Sequence, residues 1–432
     1  MNSIWTVTSD RPNFRQLSGD KKTDVLIIGA GACGILCAYM LKQAGVDCIV
    51  CEADKICGGI TKDTTAKITL QHGLIYDKII RRYGVEYAKG YLLAQKAAMR
   101  EYEHLCSGIN CDWEVRPSYV YSLDDPRRIE REVRAYEKIG HSASFTRETE
   151  LPFSVAGAVR LEDQAQIHPL KLFFSIAEGV PIYENTKITE LSPGLARTAQ
   201  GSIRAKNIIV ATHFPFINKH GSYFIKLYQH RSYVIALEVA MDIKGMYVDE
   251  ADKGMSFRSH KELLLVGGGG HRTGKKGGCW GELEDFSRRH YPESQIRARW
   301  AAQDCMSLDG MPYIGRYSRG TDGLFVATGF NKWGMTSSMV AAQLLCDLVQ
   351  GKRNNFEKIF SPSRSILHPQ LALNGAESLI GLLTPRTPRC SHLGCALKYN
   401  AEEHTWDCPC HGSRFTESGE LINNPATDDK DM

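Results

Sequence analysis

Asp24-Val-Leu-Ile-Ile-Gly29-Ala-Gly31-Ala-Cys-Gly34 is the stretch that decides the fold. The run before Gly29 is short and apolar, the pattern of a parallel strand buried on both faces. From Ile35 to Gln43 the apolar residues take helical spacing, and Gly45 follows as a stop. Val46 to Cys51 reads as a second strand and ends at Glu52, 18 residues past Gly34. A lone GxGxxG is a weak signal, but strand, glycine turn, helix, strand and acid in this order form a dinucleotide-binding unit. Gly29 permits the tight turn, and Gly31 lets a pyrophosphate approach the backbone at the positive end of the helix. Gly34 lets helix and strand pack closely, and Glu52 accepts hydrogen bonds from a ribose.

Around this unit the chain has 432 residues, too many for one simple core and enough for two or three domains. A formal charge of +4 without a basic run gives no footprint for nucleic acid, so the scattered Lys and Arg read as solvated surface. Met1 to Asp24 carries neither an apolar core region nor paired arginines, so no export signal is expected. Val25 to Leu41 is the longest apolar stretch, but glycines break it. It reads as strand, turn and helix, and no integral membrane segment is expected. A cytoplasmic location follows as an expectation. Of the 14 cysteines, the ten between Cys33 and Cys346 are expected to be reduced and buried as small apolar residues. The four from Cys390 to Cys410 are too closely grouped for that explanation.

Beyond Glu52 runs Cys57-Gly-Gly-Ile-Thr61-Lys-Asp-Thr64-Thr65-Ala-Lys67-Ile-Thr69, a loop of glycines and hydroxyls. From here the sequence resembles the FAD-dependent D-amino-acid and amine oxidase family, which includes the glycine and sarcosine oxidase-like enzymes. In that family this segment runs along the FAD, which implies contacts from Thr61, Thr64 and Thr65. Lys206-Asn-Ile-Ile-Val-Ala211-Thr212 resembles the strand that returns to the FAD domain, with Thr212 at the cofactor and His213 where the family has Gly. Asp309-Gly-Met-Pro312-Tyr-Ile-Gly315 and Gly323-Leu-Phe-Val-Ala-Thr-Gly329-Phe-Asn-Lys-Trp-Gly334-Met335-Thr336 resemble its C-terminal flavin motif. A helix is expected from Met335 to Gln350, stopped by Gly351. Its N-terminus would aim N–H groups at the flavin N1/O2 edge, implicating Gly329, Gly334, Met335 and Thr336.

The implied fold is an α/β FAD-binding Rossmann-like domain, in parts at about 22–75, 186–218 and 301–355, with an inserted α+β substrate domain at about 76–185 and 219–300. Together these make up residues 1–362. The resemblance implies a small amine or amino acid as substrate and leaves the catalytic residues open. His72 stands near the flavin ring or is packed away. His271, after Gly267 to Gly270, is on the substrate side or on a surface loop. Arg231, with Tyr233, clamps a carboxylate in bidentate fashion or forms a surface ion pair. Flavin amine oxidation needs a positioned neutral amine more than an acid–base dyad, so the lack of such a dyad does not argue against it.

The end of the chain carries Cys390-Ser-His392 and, after fifteen residues, Cys408-Pro-Cys410-His411. This is C-x-H followed by C-x-x-H, the ligand pattern of a Rieske 2Fe–2S cluster. Two thiolates hold one iron and two imidazoles the other. Imidazole brings less negative charge, so such centres lie at roughly −150 to +300 mV, against about −400 mV for all-Cys plant-type clusters. Structural zinc is the alternative, although C-x-H is uncommon in zinc ribbons. The segments Cys390 to Cys395 and Cys408 to Ser413 resemble the cluster loops of Rieske proteins from respiratory and photosynthetic cytochrome complexes. That resemblance implies a disulfide between Cys395 and Cys410 and a sulfur-directed hydrogen bond from Ser413. Phe415 stands where those proteins have a Tyr, which implies a potential below that of the respiratory proteins.

Residues 363–432 therefore read as a linker and a shortened all-β Rieske domain. Pro362, Pro369, Pro385 and Pro388 predict extended linker pieces without a long helix. The small domain must either lean on the flavin domain or leave its cluster exposed, and Asp428 to Met432 are expected to be disordered. The whole chain resembles bacterial FAD-dependent oxidoreductases with a C-terminal Rieske segment. A one-electron centre beside a two-electron flavin implies a dehydrogenase that passes electrons singly to an external carrier such as a ferredoxin. A reductase running the opposite way, or a redox relay or sensor without turnover, fits the same residues. A Rieske oxygenase would need a mononuclear iron site of two His and one carboxylate in its own domain, for which there is no room.

Overall fold

A computed structural model describes residues 2–217, 220–385 and 387–430. Its first sheet is built on Lys21–Ile28, whose last four residues are buried. This strand lies parallel to Gly201–Val210 on one side and Cys48–Cys51 on the other. From one edge the order is Tyr313–Arg316, Leu324–Thr328, Gly201–Val210, Lys21–Ile28, Cys48–Cys51, Ile182–Tyr183. Helix Ala32–Gln43 follows the glycine turn and packs against helix Gly334–Val349. Both helices bury most of their circumference, as their apolar sequences require. The ten scattered cysteines are buried free thiols, as expected.

The second sheet has nine strands. The chain first enters it at Lys67–Ile68, which pairs with Gly157–Gln166. That crossing comes earlier than the boundary at residue 76 drawn from the sequence. The central strand, Leu227–Glu238, is antiparallel to Leu263–Arg272 and to Gln295–Ser307. Strand alternation separates its two faces. Val234 and Ala236 point into the core shared with helix Ala32–Gln43, whereas Tyr233, Ile235 and Leu237 join a separate core beneath helix Cys279–His290.

At the end of the chain Lys398–Asn400, Thr405–Asp407, Arg414–Thr416 and Leu421–Asn423 form an antiparallel meander. The segment before it departs from the extended linker read from its prolines. Pro369–Leu383 is a helix of 15 residues. Pro369 occupies the first helical position, where its missing N–H is not needed, and His368 Nδ1 accepts the Gln370 N–H at 3.1 Å. The proline thus starts a helix that it was expected to exclude. Asp428 to Lys430 are also ordered: Asp429 Oδ1 accepts the Leu421 N–H at 2.8 Å, and the Lys430 N–H reaches Gly419 O at 2.9 Å. Asp431 and Met432 lie outside the described residues. Among the described residues no helix is long and apolar enough to cross a membrane.

Candidate flavin and cluster sites

A cavity of about 1930 Å³ runs between the two large sheets. Its wall includes Gly29, Gly31, Glu52, Thr61, Thr64, Thr65, Thr212, Gly329, Gly334 and Met335. Glu52 accepts the N–H groups of Ala30 at 2.7 Å and Asp54 at 3.0 Å. Burial raises its pKa, and those two bonds work the other way. Thr61 Oγ1 accepts the Ala32 N–H at 3.0 Å, at the start of the helix. Gly34 stands behind the wall, where a Cβ would lie 1.9 Å from Gly29 O. Gly34→Ala is therefore expected to cost at least about 1–3 kcal/mol through overpacking. It should also lower the flavin-to-protein absorbance ratio of the purified protein, with thermal denaturation followed in parallel. The Thr336 side chain turns toward the loop after Lys67–Ile68, with Oγ1 2.9 Å from His72 Nε2.

His72 lines the cavity and is held in place by its neighbours. Its Nδ1 lies 2.7 Å from Tyr91 Oη, and its ring stacks on Trp333 with centroids 5.1 Å apart. Burial pushes its pKa down to about 3, so it is neutral at physiological pH and orients the Trp333 side of the cavity. His271 is not on a surface loop. The strand continues through the glycines to Arg272, and His271 is buried with Nε2 at 3.1 Å from Tyr233 Oη and Nδ1 at 2.9 Å from Arg272 O.

Arg231 and Tyr233 do hold a carboxylate, but it is the protein's own. Arg231 Nε donates to Glu403 Oε1 at 2.9 Å, and its Nη2 donates to Glu403 Oε2. Tyr233 Oη donates to Glu403 Oε1 at 2.9 Å, and Arg414 Nη2 donates to Glu403 Oε2 at 2.8 Å. Burial works against the charge on Glu403, and the two guanidiniums outweigh it and hold the carboxyl below its usual range. The reading of Arg231 as a substrate clamp or a surface ion pair is thereby corrected. Arg231 shares the odd-numbered face of its strand with Tyr233, and its side chain is 3% exposed.

The opposite face carries a group that the sequence reading missed. His230 lies directly across from Asp304, and Ser232 Oγ donates to Asp304 Oδ2 at 3.3 Å. All three line the cavity, as does Lys332. Asn331 and Lys332 both take left-handed backbone, with φ of 52° and 70°. Asn331 Oδ1 fixes that turn by accepting the Ser307 N–H at 2.8 Å. Burial pushes His230 down to about 3. The signal lay in Trp300 to Ser307, immediately before the Asp309 motif, where a strand assignment would have placed Asp304 on a defined face.

At the C-terminus Cys390, Cys408 and His411 are buried, and the rings of His392 and His411 lie 5.0 Å apart. Hydrogen bonds from Cys390, Cys395 and Cys410 hold Cys408 well below the usual thiol range. His411 Nδ1 is buried without a hydrogen-bond partner, a deficit that a metal ligand bond removes. The residues present therefore fit a two-thiolate, two-imidazole cluster. The sulfurs of Cys395, Cys408 and Cys410 also lie within 4.8 Å of one another. A site made of those three alone would leave both imidazoles unused. Cys395 and Cys410 are free thiols, so the disulfide implied by resemblance is not formed in this structure. The Ser413 hydroxyl bonds the Cys390 thiol and accepts the Ala426 N–H at 3.0 Å.

The family model described as FAD dependent oxidoreductase matches residues 24–348. The chain belongs to that family. A second model, the Rieske [2Fe-2S] domain, matches residues 385–430. The flavin domain binds FAD and the Rieske domain a 2Fe–2S cluster. The Bacillus subtilis (strain 168) protein YhfW, named as a Rieske 2Fe-2S iron-sulfur protein, is 34% identical, over 98% of this chain and 96% of its own. Gamma-glutamylputrescine oxidoreductase of Escherichia coli (strain K12) is 23% identical, over 80% of this chain and 87% of its own. Among solved structures, glycine oxidase from Geobacillus kaustophilus superposes with a TM-score of 0.68 at 18% identity. That match covers 80% of this chain and all of the other, so the two share the fold.

The flavin domain supplies the base that the short Rieske domain lacks. Gly412, with φ of 90°, lies flat on Gln229, where a Cβ would come within 2.1 Å of Gln229 Cγ. Gln303 Nε2 donates to Gly412 O at 2.9 Å. Arg272 donates to Pro409 O at 3.0 Å and Cys410 O at 3.1 Å. Asn424 Nδ2, just past the last strand, donates back to Thr212 O at 2.9 Å and Phe214 O at 2.7 Å. Of the two possibilities left open by the domain's size, support by the flavin domain is the one observed.

Proposed function

We propose that this protein is a dehydrogenase of a small amine or amino acid that passes electrons singly, through its own Rieske domain, to an external carrier such as a ferredoxin. When bound, FAD takes a hydride from the substrate carbon, and the 2Fe–2S cluster moves one electron at a time. The observation that carries the proposal is the seating of the Cys408 to Ser413 loop on the wall of the flavin cavity. Gln303, which lines the cavity, holds Gly412 O, the residue next to His411. Arg272, also in the wall, holds the carbonyls of Pro409 and Cys410. Nothing in the chemistry of a plain oxidase requires a second redox centre fixed against the cavity wall by hydrogen bonds.

In this reading Gly29, Gly31, Glu52, Thr61, Thr64 and Thr65 bind the dinucleotide. Gly334 and Met335 present the helix N-terminus to the flavin ring, where N–H groups stabilise negative charge. Trp333, held by His72, closes one side and excludes water. Cys390 and Cys408 hold one iron, and His392 and His411 the other. Cys395 and Cys410 stand close enough to join across the loops. The many buried free thiols support a reducing, cytoplasmic setting.

The test uses the whole protein, purified anaerobically. An amine or amino acid that bleaches the flavin is expected also to generate the EPR signal of the reduced cluster, with the low average g value of histidine ligation. Bleaching without that signal, in a sample where dithionite elicits it, would overturn the proposal.

A further inference from the structure

The cavity wall contains three guanidiniums, those of Arg231, Arg272 and Arg414. Each is already engaged. Arg231 holds Glu403, and Arg272 holds Pro409 O, Cys410 O and Asn374 Oδ1. Arg414 holds Glu403 and Asp407. A substrate carboxylate therefore finds no guanidinium fork available to it in this wall.

The even-numbered face of Leu227–Glu238, with its partner residues on Gln295–Ser307, presents the opposite charge. Asp304 lies on it, directly across from His230 and bonded to Ser232. Among the described residues Asp304 has no ion-pair partner within 4.0 Å. His230 Nδ1 beside it is buried and lacks a hydrogen-bond partner. Lys332 stands near Asp304 in the same wall; burial lowers its pKa, and the charge of Asp304 raises it. Burial raises the pKa of Asp304, and Lys332, the Ser232 hydrogen bond and Arg231 oppose that rise.

We propose that Asp304 receives the cationic nitrogen of the substrate, with Ser232 fixing the carboxylate, so that the substrate is an amine lacking an α-carboxylate. The assignment rests on the dehydrogenase reading above and narrows it. Asp304 is a binding residue on the wall where the substrate meets the flavin, and His230 and Lys332 border the same space. An α-amino acid would place its carboxylate next to Asp304, and like charges at such a site repel.

The experiment titrates the FAD-loaded full chain anaerobically with n-butylamine, 1,4-diaminobutane, glycine and propionate. Binding is read from the flavin spectrum and, independently of turnover, from the shift in melting temperature. The two amines are expected to bind more tightly than glycine or propionate. Asp304→Asn should weaken amine binding by at least about tenfold while sparing propionate. Ser232→Ala, a milder change, should move amine binding in the same direction. Failure of the amines to bind, preference for glycine or propionate, or amine affinity within about twofold of wild type in both variants would each overturn the assignment. The dehydrogenase reading fails separately, through absence of cluster reduction whatever head group is bound.

Discussion

Replacing Cys408 by serine is expected to remove the Rieske cluster and leave the flavin in place. Cys408 is fully buried and is the sulfur on which the hydrogen bonds of Cys390, Cys395 and Cys410 converge. A serine hydroxyl is a harder, more weakly acidic ligand than a thiolate and is a poor substitute on iron. The loop itself would persist, because Cys408 N donates to Ser413 O and Gly412 N to Cys408 O, both at 2.9 Å through the backbone. Iron and sulfide should fall to background while flavin absorbance per chain is unchanged. Substrate should still bleach the flavin, because no group proposed to bind the dinucleotide is altered. Electron delivery to a one-electron carrier should fall by more than about 100-fold, beyond the loss usual when only an outer-shell partner of a metal ligand is removed. Normal carrier reduction in protein shown to lack iron would mean that the flavin serves the carrier directly.

The two cofactor sites were legible in the sequence because each is encoded by local spacing. The turn from Gly29 to Gly34 needs its glycines within a six-residue stretch, and the Cys/His loops need their ligands two or three residues apart. What the sequence concealed depends on register and on distant partners. Arg231 was recognised as a carboxylate clamp, but the carboxylate it holds comes from Glu403, 172 residues away. Which face Arg231 takes follows from its pairing with Gln303, a fact of the sheet rather than of the strand. Asp304 escaped notice for the same reason, since an isolated acid within a strand has no meaning until its face is known. Pro369 was misread because a proline that ends one segment is equally suited to begin a helix.

Substituting Glu403 by alanine is expected to uncouple the two redox domains without emptying either. The Glu403 side chain is 10% exposed, and its carboxylate accepts from Arg231, Tyr233 and Arg414 at once. Its removal leaves the Arg231 guanidinium facing a site without an acceptor, while Arg414 retains Asp407. Breaking a buried ion pair from one side costs about 3–5 kcal/mol, because the remaining charge keeps its desolvation penalty. Part of that penalty falls on docking, since Arg231 belongs to the flavin domain and Glu403 to the Rieske domain. Flavin, iron and sulfide contents should be unchanged, and flavin bleaching by substrate should keep its rate. Cluster reduction after flavin reduction, followed by stopped-flow absorbance or freeze-quench EPR, should slow by at least about tenfold if docking weakens by 1.4 kcal/mol or more. Glu403→Gln, which keeps acceptor oxygen and shape, should lie between wild type and alanine. The double change Arg231→Met with Glu403→Leu should regain much of the lost stability, because no charge is then left unpaired at position 231 and Arg414 retains Asp407 at 3.0 Å. An alanine variant that melts normally and reduces its cluster at the wild-type rate would show that the backbone bonds from Gln303 and Arg272 suffice to hold the domains together, with Glu403 filling space in a charge cluster of its own making.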